Sequence, residues 1–384
     1  MRVLLYVQNL LGIGHIVRAL RIAEAIVERG GTVDLVLGGA PVDGLDGNGM
    51  RITQLEPIKA GPGGFSDLVG ADGRKVDAAF KARRRDSLLG LLEATRPDVV
   101  LIEAYPFGRR QMRFELTPLI ARARALMPRP LIVSSIRDIL QESRAPGRDA
   151  ETLGVLRASF DHVIVHADPA IVRLEATFAP AAGFAGMTSY SGIVGPRRTT
   201  TPAPADRGSA HGVVVSVGGG AVGAGVMRAA LQAKAATRLA DRRWLAVTGP
   251  NMASAQAAEI EALARAVGAD VARFVEDLPG RLASAELSVS QAGYNTVADT
   301  LAAGCRAVLV PFAADGETEQ TRRAELLERM GLAVAVREAD VSAERMALAI
   351  DRAMRLQPAR ASIDLNGAPR TAEILADLIA RQCP

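Results

Sequence analysis

Two rhythms of apolar and polar positions run along this chain. Val3–Val7, Val33–Leu37, Val99–Ile102, Leu131–Ser134 and His162–His166 are short apolar runs. They are too short for helices and lack in-out alternation, so they predict strands buried on both faces. Between them, apolar residues recur at helical spacing, as over Ile16–Glu28 and Ala79–Ala94. Strand, helix, strand in this order predicts an α/β fold, a parallel sheet with helices on both faces. The rhythm stops in "GPRRTTTPAPADRGSAHG", Gly195–Gly212, where Pro, Thr, Ala and charge collect without a period. Such a stretch reads as a linker. The rhythm then restarts with a strand at Val213–Val217, a glycine turn at Gly218–Gly220, a helix to about Leu239 and a strand at Trp244–Val247. Further strands are expected near Val271–Phe274, Leu287–Val289, Ala307–Val310 and Ala333–Val336. Ala368–Ala380 reads as a last helix with Ile374, Leu375, Leu378 and Ile379 on one side. The expected organisation is a doubly wound domain over 1–195, a linker over 196–212, a second doubly wound domain over 213–357 and a helical tail over 358–384.

Composition narrows this picture. At 384 residues and 49% hydrophobic, the chain can build two sizeable cores. Aromatics at 4% weigh against stacking on single-stranded nucleic acid, and no nucleic-acid partner is expected. A formal net charge of +4 fits an anionic ligand or an anionic membrane surface. The two cysteines, Cys305 and Cys383, form no disulfide framework and point to a reducing cytoplasm. The N-terminus is interrupted too early for a signal peptide, and no run of eighteen apolar residues predicts a membrane span. A cytoplasmic protein, with peripheral membrane contact as an option, is the expectation.

Ligands in doubly wound sheets sit beyond the carboxyl ends of the strands. Three stretches stand there. In "VQNLLGIGHIVRALRIAEAI", Gly12 and Gly14 supply backbone freedom where a helix begins. His15 falls in the first turn, and Arg18 lies three residues on, on the same face. An imidazole beside helix-end amides has a lowered pKa, which suits a general base; the plainer alternative is a histidine that only braces the loop. The full dinucleotide fingerprint is missing, because His and Val stand where later glycines would be, and Leu35–Gly39 ends without an acid for a ribose.

The second stretch, "VVVSVGGGAVGAG", places Gly218, Gly219 and Gly220 at a strand end, where backbone amides can approach a phosphate. It lacks the Lys-Ser/Thr of an ATP-binding P-loop. The third, "SVSQAGYNTVADTLAAGCRAVLVPFAADGETEQ", ends a strand at Gln291-Ala292-Gly293. Asn295 or Thr296 is expected to cap the following helix, with Asp299 in its first turn. A polar loop after the next strand carries Asp315, Glu317, Glu319 and Gln320. A carboxylate at a helix start and a Glu-Gln pair beyond the next strand can bind vicinal hydroxyls, such as those of a ribose and a hexose. Taken singly, Asp299 reads as a dipole-favoured acid and Glu319-Gln320 as a solvated loop.

On "GIGHIVRALRIAEA", "VSVGGG" and "SQAGYNTVADTLAAGCRAVLVPF…EQ…RAELLERMG", the chain resembles the GT-B-fold glycosyltransferases. It is similar to the peptidoglycan N-acetylglucosaminyltransferases that make lipid II, and to a group of predicted bacterial glycosyltransferases. The resemblance covers both halves and implies two Rossmann-like domains facing a cleft. It also implies metal-independent, inverting transfer of a hexose-type sugar from a nucleotide sugar, UDP-linked in that family, to a small-molecule or lipid-linked acceptor. Carried over residue by residue, Gly218–Gly220 would face the diphosphate. Asp299, in place of a Glu, would hold the ribose. Glu319, in place of the first of two glutamines, and Gln320 would hold the sugar. Gly293, Asn295 and Thr296 belong to the same donor site. His15 would lie on the acceptor side with Gly12, Gly14 and Arg18. The donor is a substrate, and no cofactor is implied.

Glu103, just past the third strand, is a second base candidate; the plainer alternative is a surface acid pairing Arg109 or Arg110. His166 and Asp168, which also end a strand, are expected to line the cleft. Two basic patches, Gly73–Arg85 and Gly108–Arg113, could meet an anionic membrane or a lipid phosphate, although Asp72, Asp77 and Asp86 dilute the first. Two further readings compete. "GxGHxxRALRIA" also resembles the UDP-sugar hydrolase of pseudaminic acid biosynthesis, in which the same His activates water; a nucleotide-sugar epimerase of similar architecture is less well matched. A non-catalytic nucleotide-sugar-binding protein is the third class.

Overall fold

The computed structural model describes every residue except 11–12, 43–44, 46, 62–63, 142–144, 198–210, 220–221, 358–362 and 383–384. The chain divides into two units, Met1–Val194 with Asn366–Pro384, and Gly195–Leu365.

In the first unit, β1 (Arg2–Val7), α1 (Gly14–Glu28), β2 (Thr32–Leu37) and β3 (Arg51–Gln54) lead to a hairpin, β4 (Lys59–Gly61) and β5 (Gly64–Val69). Then come α2 (Ala78–Thr95), β6 (Val99–Glu103), α3 (Arg113–Arg124), β7 (Leu131–Arg137), α4 (Arg148–Ser159), β8 (His162–His166) and β9 (Thr188–Tyr190). Seven strands form one sheet in the order β3-β2-β1-β6-β7-β8-β9, all parallel. β1 lies between β2 and β6, so the strand order reverses there, and a ligand crevice is expected at the carboxyl ends of β1 and β6. The sheet packs Leu4, Tyr6, Val100 and Ile102 with Leu88 and Leu92 of α2 and Leu116 and Leu119 of α3. Each such apolar side chain stabilises the fold by roughly 1.5–3 kcal/mol on burial.

A charged network runs through this core. Arg84 of α2 and Glu115 of α3 are both fully buried. Arg84 Nε donates to Glu115 Oε2 at 2.6 Å, and its Nη2 donates to Gln8 Oε1 at 2.6 Å. Arg84 Nη1 reaches the Gly38 carbonyl at 2.7 Å, and the Tyr6 hydroxyl donates to Glu115. A Cβ on Gly38 would stand 2.1 Å from Gln8 Oε1, and one on Gly39 2.1 Å from Asn9 Oδ1. The end of β2 is therefore bare because Gln8 and Asn9 approach its backbone. Arg84 also leaves the first basic patch, since it is a core residue.

The second unit holds β10 (Val213–Ser216), α5 (Ala224–Ala233), β11 (Trp244–Val247), α6 (Ser254–Ala266), β12 (Asp270–Ala272), α7 (Leu278–Ser284) and β13 (Leu287–Ser290). It continues through α8 (Tyr294–Ala303), β14 (Arg306–Leu309), α9 (Glu319–Arg329), β15 (Val334–Ala335) and α10 (Ala343–Ala353). Its sheet runs β12-β11-β10-β13-β14-β15, again all parallel, and the order reverses between β10 and β13. Val213, Val215, Leu287 and Val289 pack with Met227 and Leu231 of α5 and Met346 and Ile350 of α10.

The C-terminal helix corrects the expected tail. α11 (Gly367–Gln382) belongs to the first unit, where it packs on α1. Its buried Ala368, Ala372, Ile374 and Leu375 form an apolar stripe that needs a partner. The backbone returns through a bridge between Val194 and Asn366, and Gly367 donates to the Ile193 carbonyl at 3.0 Å. A Cβ on Gly367 would meet the Gly192 carbonyl oxygen at 2.5 Å, so the close approach requires glycine. Residues 198–210 of the expected linker, and residues 358–362 and 383–384 of the expected tail, lie outside the described residues. Among the described residues no helix is long and apolar enough to cross a membrane.

Candidate active site

At the reversal point of the first sheet, the loop after β1 leads to α1, and His15 is that helix's second residue. Gly12 lies outside the described residues, and Gly14 opens the helix at the surface. Glu103 is the last residue of β6. The two side chains meet: His15 Nδ1 is 2.8 Å from Glu103 Oε1. Arg109 Nη2 is 2.8 Å from His15 Nε2. A guanidinium only donates, so Nε2 is the acceptor and Nδ1–H donates to Glu103. Glu103 is 2% exposed, which overturns the plainer reading of a surface acid pairing Arg109 or Arg110. It is also not a rival to His15 but its partner. Arg18, expected on the acceptor side, is 2% exposed and donates to the same Oε1. One helical turn thus sets His15 and Arg18 on one carboxylate.

The His15 side chain stays 19% accessible. Burial, aided by the nearby Arg109, lowers its pKa to about 4, against the opposing pull of Glu103. Burial acts to raise the Glu103 pKa, but His15, Arg18 and Arg109 outweigh it and hold the carboxyl well below the usual range. At neutral pH the pair is therefore a neutral imidazole oriented by a carboxylate, with a base lone pair on Nε2.

His166 is a correction. It is fully buried, so it lines no open surface. Ser191 Oγ donates to the Gly192 carbonyl at 3.0 Å, so it accepts from His166 Nδ1–H at 2.9 Å, and Nε2 accepts from Ser135 Oγ at 2.7 Å. Burial lowers the His166 pKa to about 3. Asp168 is 7% exposed and accepts from the Ala170 amide at 2.9 Å, a turn-closing role. In the second basic patch, Arg110 is held by Glu151 at 2.6 Å.

In the second unit, Gly218 is exposed with φ +59°, the left-handed region that favours glycine, and Gly219 accepts from the Asn251 amide at 2.9 Å. Gly220 lies outside the described residues. Gly293 is the N-cap of α8, and neither Asn295 nor Thr296 caps it; both stand half-buried inside its first turn. Asp299 falls in the second turn and is 7% exposed, so it is neither in the first turn nor freely solvated. Glu319 and Gln320 are not in a loop but open α9. Glu319 is buried and accepts from Arg323 Nη2 at 2.6 Å, an i,i+4 pair. Arg323 Nη1 also donates to the Ala292 carbonyl at 2.8 Å, which ties α9 to the turn after β13. Gln320 Oε1 accepts from the Phe312 amide at 3.2 Å.

Four side chains were missed. Arg109 lay within a basic patch, and no spacing rule links it to His15 across 94 residues. Arg323 was masked by the polar pattern of a surface helix. Gln291 directly follows β13 and is 7% exposed, and its Nε2 makes no hydrogen bond among the described residues. A Cβ on Gly223, the N-cap of α5, would lie 3.2 Å from that Nε2, so the amide abuts the glycine loop. Gln291 stood in the quoted "SQAG", and its polarity at a strand end was the available signal. Phe274 was expected inside a strand, but β12 ends at Ala272 and the ring is 64% exposed at that sheet's carboxyl edge.

Residues 214–373 match the glycosyltransferase family 28 C-terminal domain. The chain is 30% identical over 381 residues to the UDP-N-acetylglucosamine–N-acetylmuramyl-(pentapeptide) pyrophosphoryl-undecaprenol N-acetylglucosamine transferase of Xanthomonas oryzae pv. oryzae, covering 96% of this chain and 77% of the relative. The Brucella anthropi enzyme of the same name is 35% identical over 143 residues, 36% of this chain and 38% of that one. Among solved structures, the calicheamicin glycosyltransferase CalG4 superposes with a TM-score of 0.60 at 16% identity, over the full length of both chains. MurG of Acinetobacter baumannii does so with a TM-score of 0.58 at 17% identity, over 98% of this chain and all of that one. These two share the fold, GT-B. With two parallel Rossmann-like sheets and this likeness along nearly its whole length, the chain belongs to glycosyltransferase family 28 and is a glycosyltransferase.

Proposed function

We propose that the protein transfers a hexose-type sugar from a UDP-sugar to a hydroxyl of a lipid-linked or small-molecule acceptor, with inversion and without a metal. The observation that carries this reading is the His15–Glu103 pair at the reversal point of the first sheet. In the proposed step, His15 Nε2 takes the proton of the acceptor hydroxyl. The oxygen attacks the anomeric carbon, and the bond to the diphosphate breaks with its electron pair on the leaving oxygen. A single displacement of this kind inverts the carbon. Glu103 fixes the tautomer and stabilises the imidazolium that forms.

Donor binding is assigned to the second unit. Gly218 and Gly219 offer amides to the diphosphate, and Gln291 adds a side-chain donor beside them. The exposed ring of Phe274 offers a face to the base. Asp299 holds the ribose, and the NH₂ of Gln320 holds a sugar hydroxyl, with Glu319 as its braced neighbour. Stabilisation of the leaving diphosphate is assigned to these amides. UDP-N-acetylglucosamine and a pyrophosphoryl-undecaprenol acceptor, named for the relatives, are the first substrates to offer.

The test is turnover of a UDP-sugar panel with and without that acceptor, in EDTA. Product formed only with acceptor, undiminished by EDTA, is expected. Rapid release of free sugar without acceptor would make the enzyme a hydrolase. Loss in EDTA with rescue by magnesium or manganese would remove the metal-independent mechanism.

A further inference from the structure

In the described structure the base is not available. The acceptor position of His15, Nε2, is taken by Arg109 Nη2 at 2.8 Å. Arg109 is placed for this by its backbone, at φ 58° in the left-handed region, and by its Nε, which donates to the Gln8 carbonyl at 2.7 Å. Its remaining nitrogen, Nη1, makes no hydrogen bond among the described residues, and the side chain is only half-buried. The guanidinium therefore presents an Nη1–Nη2 edge with one end open and the other on the imidazole. That edge matches the two oxygens of a phosphate or carboxylate. An oxyanion that engages both nitrogens competes with His15 for Nη2, and its charge draws the fork away from the neutral imidazole.

We propose that Arg109 is a positioning residue that caps the base until an anionic group on the acceptor, phosphate or carboxylate, takes its Nη1–Nη2 edge and uncovers Nε2. The inference rests on the reading of His15 as the base. Arg18, Arg137 and Glu103 are the charged groups that act on Arg109 together with Tyr6, and Arg18, Glu103 and Arg109 are those that act on His15. The two like-charged guanidiniums make the capped state costly for Arg109, which an incoming anion offsets. The cap also has a chemical use. With no acceptor present, a free Nε2 would activate water against a bound donor, and the capped one does not.

The experiment uses the full-length protein with ¹⁵N-labelled histidine, four in all. In the wild type, His15 is expected to hold the Nδ1–H tautomer. Sodium pyrophosphate, against sodium chloride at equal ionic strength, should shift its Nε2 resonance. Arg109→Gln should raise the His15 titration midpoint by about one pH unit, since a cation and a bond to the neutral form are lost. The same variant should abolish the pyrophosphate response, raise acceptor-free donor hydrolysis roughly tenfold and raise the acceptor KM by a similar factor. Arg109→Lys keeps the charge but not the fork, and should restore the low midpoint without restoring the acceptor KM. An unchanged His15 midpoint in folded Arg109→Gln would show that no cap exists in solution. A changed midpoint with unchanged hydrolysis and acceptor KM would overturn the gating role. Wild-type turnover in His15→Asn would instead sink the base reading, while the Arg109 contact could still be seen in the spectra.

Discussion

At the reversal point of the first sheet, His15, Arg18, Glu103 and Arg109 share hydrogen bonds around one carboxylate. At that of the second sheet, the strand ends carry Ser216, Ser290 and Gln291, uncharged and buried, whose Oγ and Nε2 atoms make no hydrogen bond among the described residues. Ser216 and Ser290 are register partners. One topology thus supports two kinds of polar end. The first handles a proton: charges close together in a poorly solvated place shift each other's pKa and fix a tautomer. The second suits an anion. Neutral donors carry no charge to desolvate, and a diphosphate arriving there would supply the bonds they lack.

Exchanging the two roles by mutation breaks this comparison most visibly. His15→Asn is expected to lower kcat by roughly 10²–10⁴-fold. Glu103→Gln should fall in the same range, because the imidazole loses the partner that fixes its tautomer. Donor affinity should stay near wild type in both, since the donor is assigned to the other unit. A calorimetric donor Kd that moves as far as kcat would show that the division of labour is wrong.

Stability offers the next contrast. Arg84→Met leaves Glu115 buried without its cation, a loss of about 3–5 kcal/mol. The described members of that network, Tyr6, Gln8, Gly38, Arg84 and Glu115, all lie in the first unit. The one tryptophan, Trp244, lies there and reports it alone. Hydrogen exchange should accelerate across α2 and α3 while the Trp244 melting transition stays in place. A shift of both by the same amount would mean that the two units unfold as one.

Acid should separate the units in the same way. The His15 pKa is about 4 in the folded chain against an ordinary 6.5. Between these values the unfolded chain binds a proton that the folded one does not, so stability falls as pH falls from 6.5 toward 4. The loss is on the order of 3 kcal/mol for His15. His166 adds to it down to about pH 3. Both belong to the first unit. Opening free energies from exchange, corrected for the slower intrinsic exchange in acid, should fall there between pH 6.5 and 4 and hold steady around Trp244; a pH-independent first unit would contradict a neutral, buried His166.

How far these sites were legible follows from the range of each signal. Strands such as β8 and β11 are continuous Val-rich or apolar runs, and a local pattern is enough to find them. β3 and β9, "RITQ" and "TSY", are short and polar because they edge the sheet, so periodicity passes over them. His15 stood out because a glycine turn and a helix start are both local. Its partners did not, because Glu103 is 88 residues away and Arg109 94, and only the parallel register of β1 with β6 brings them together. Arg84 and Arg323 misled for one reason: a charged residue on a helix reads as solvent-facing unless its buried counter-charge is known.

The smallest expected effect concerns Gln291. Its amide is buried at the end of β13 and abuts Gly223, where α5 begins after the glycine loop. If it donates to a diphosphate oxygen, Gln291→Leu removes one hydrogen bond to a charged group, about 1.5–3 kcal/mol. Donor Kd should then rise by roughly tenfold or somewhat more. Because Nε2 has no hydrogen-bond partner among the described residues, the unliganded enzyme should keep its stability or gain slightly, an unusual sign for a buried polar substitution. Gln291→Glu should be worse than Leu, as it sets a carboxylate against the anion. The pair of measurements, donor Kd by calorimetry and melting temperature without donor, separates a binding role from a structural one. A Leu variant that melts several degrees lower with an unchanged donor Kd would make Gln291 a brace of the turn, and would leave Gly218 and Gly219 to hold the diphosphate.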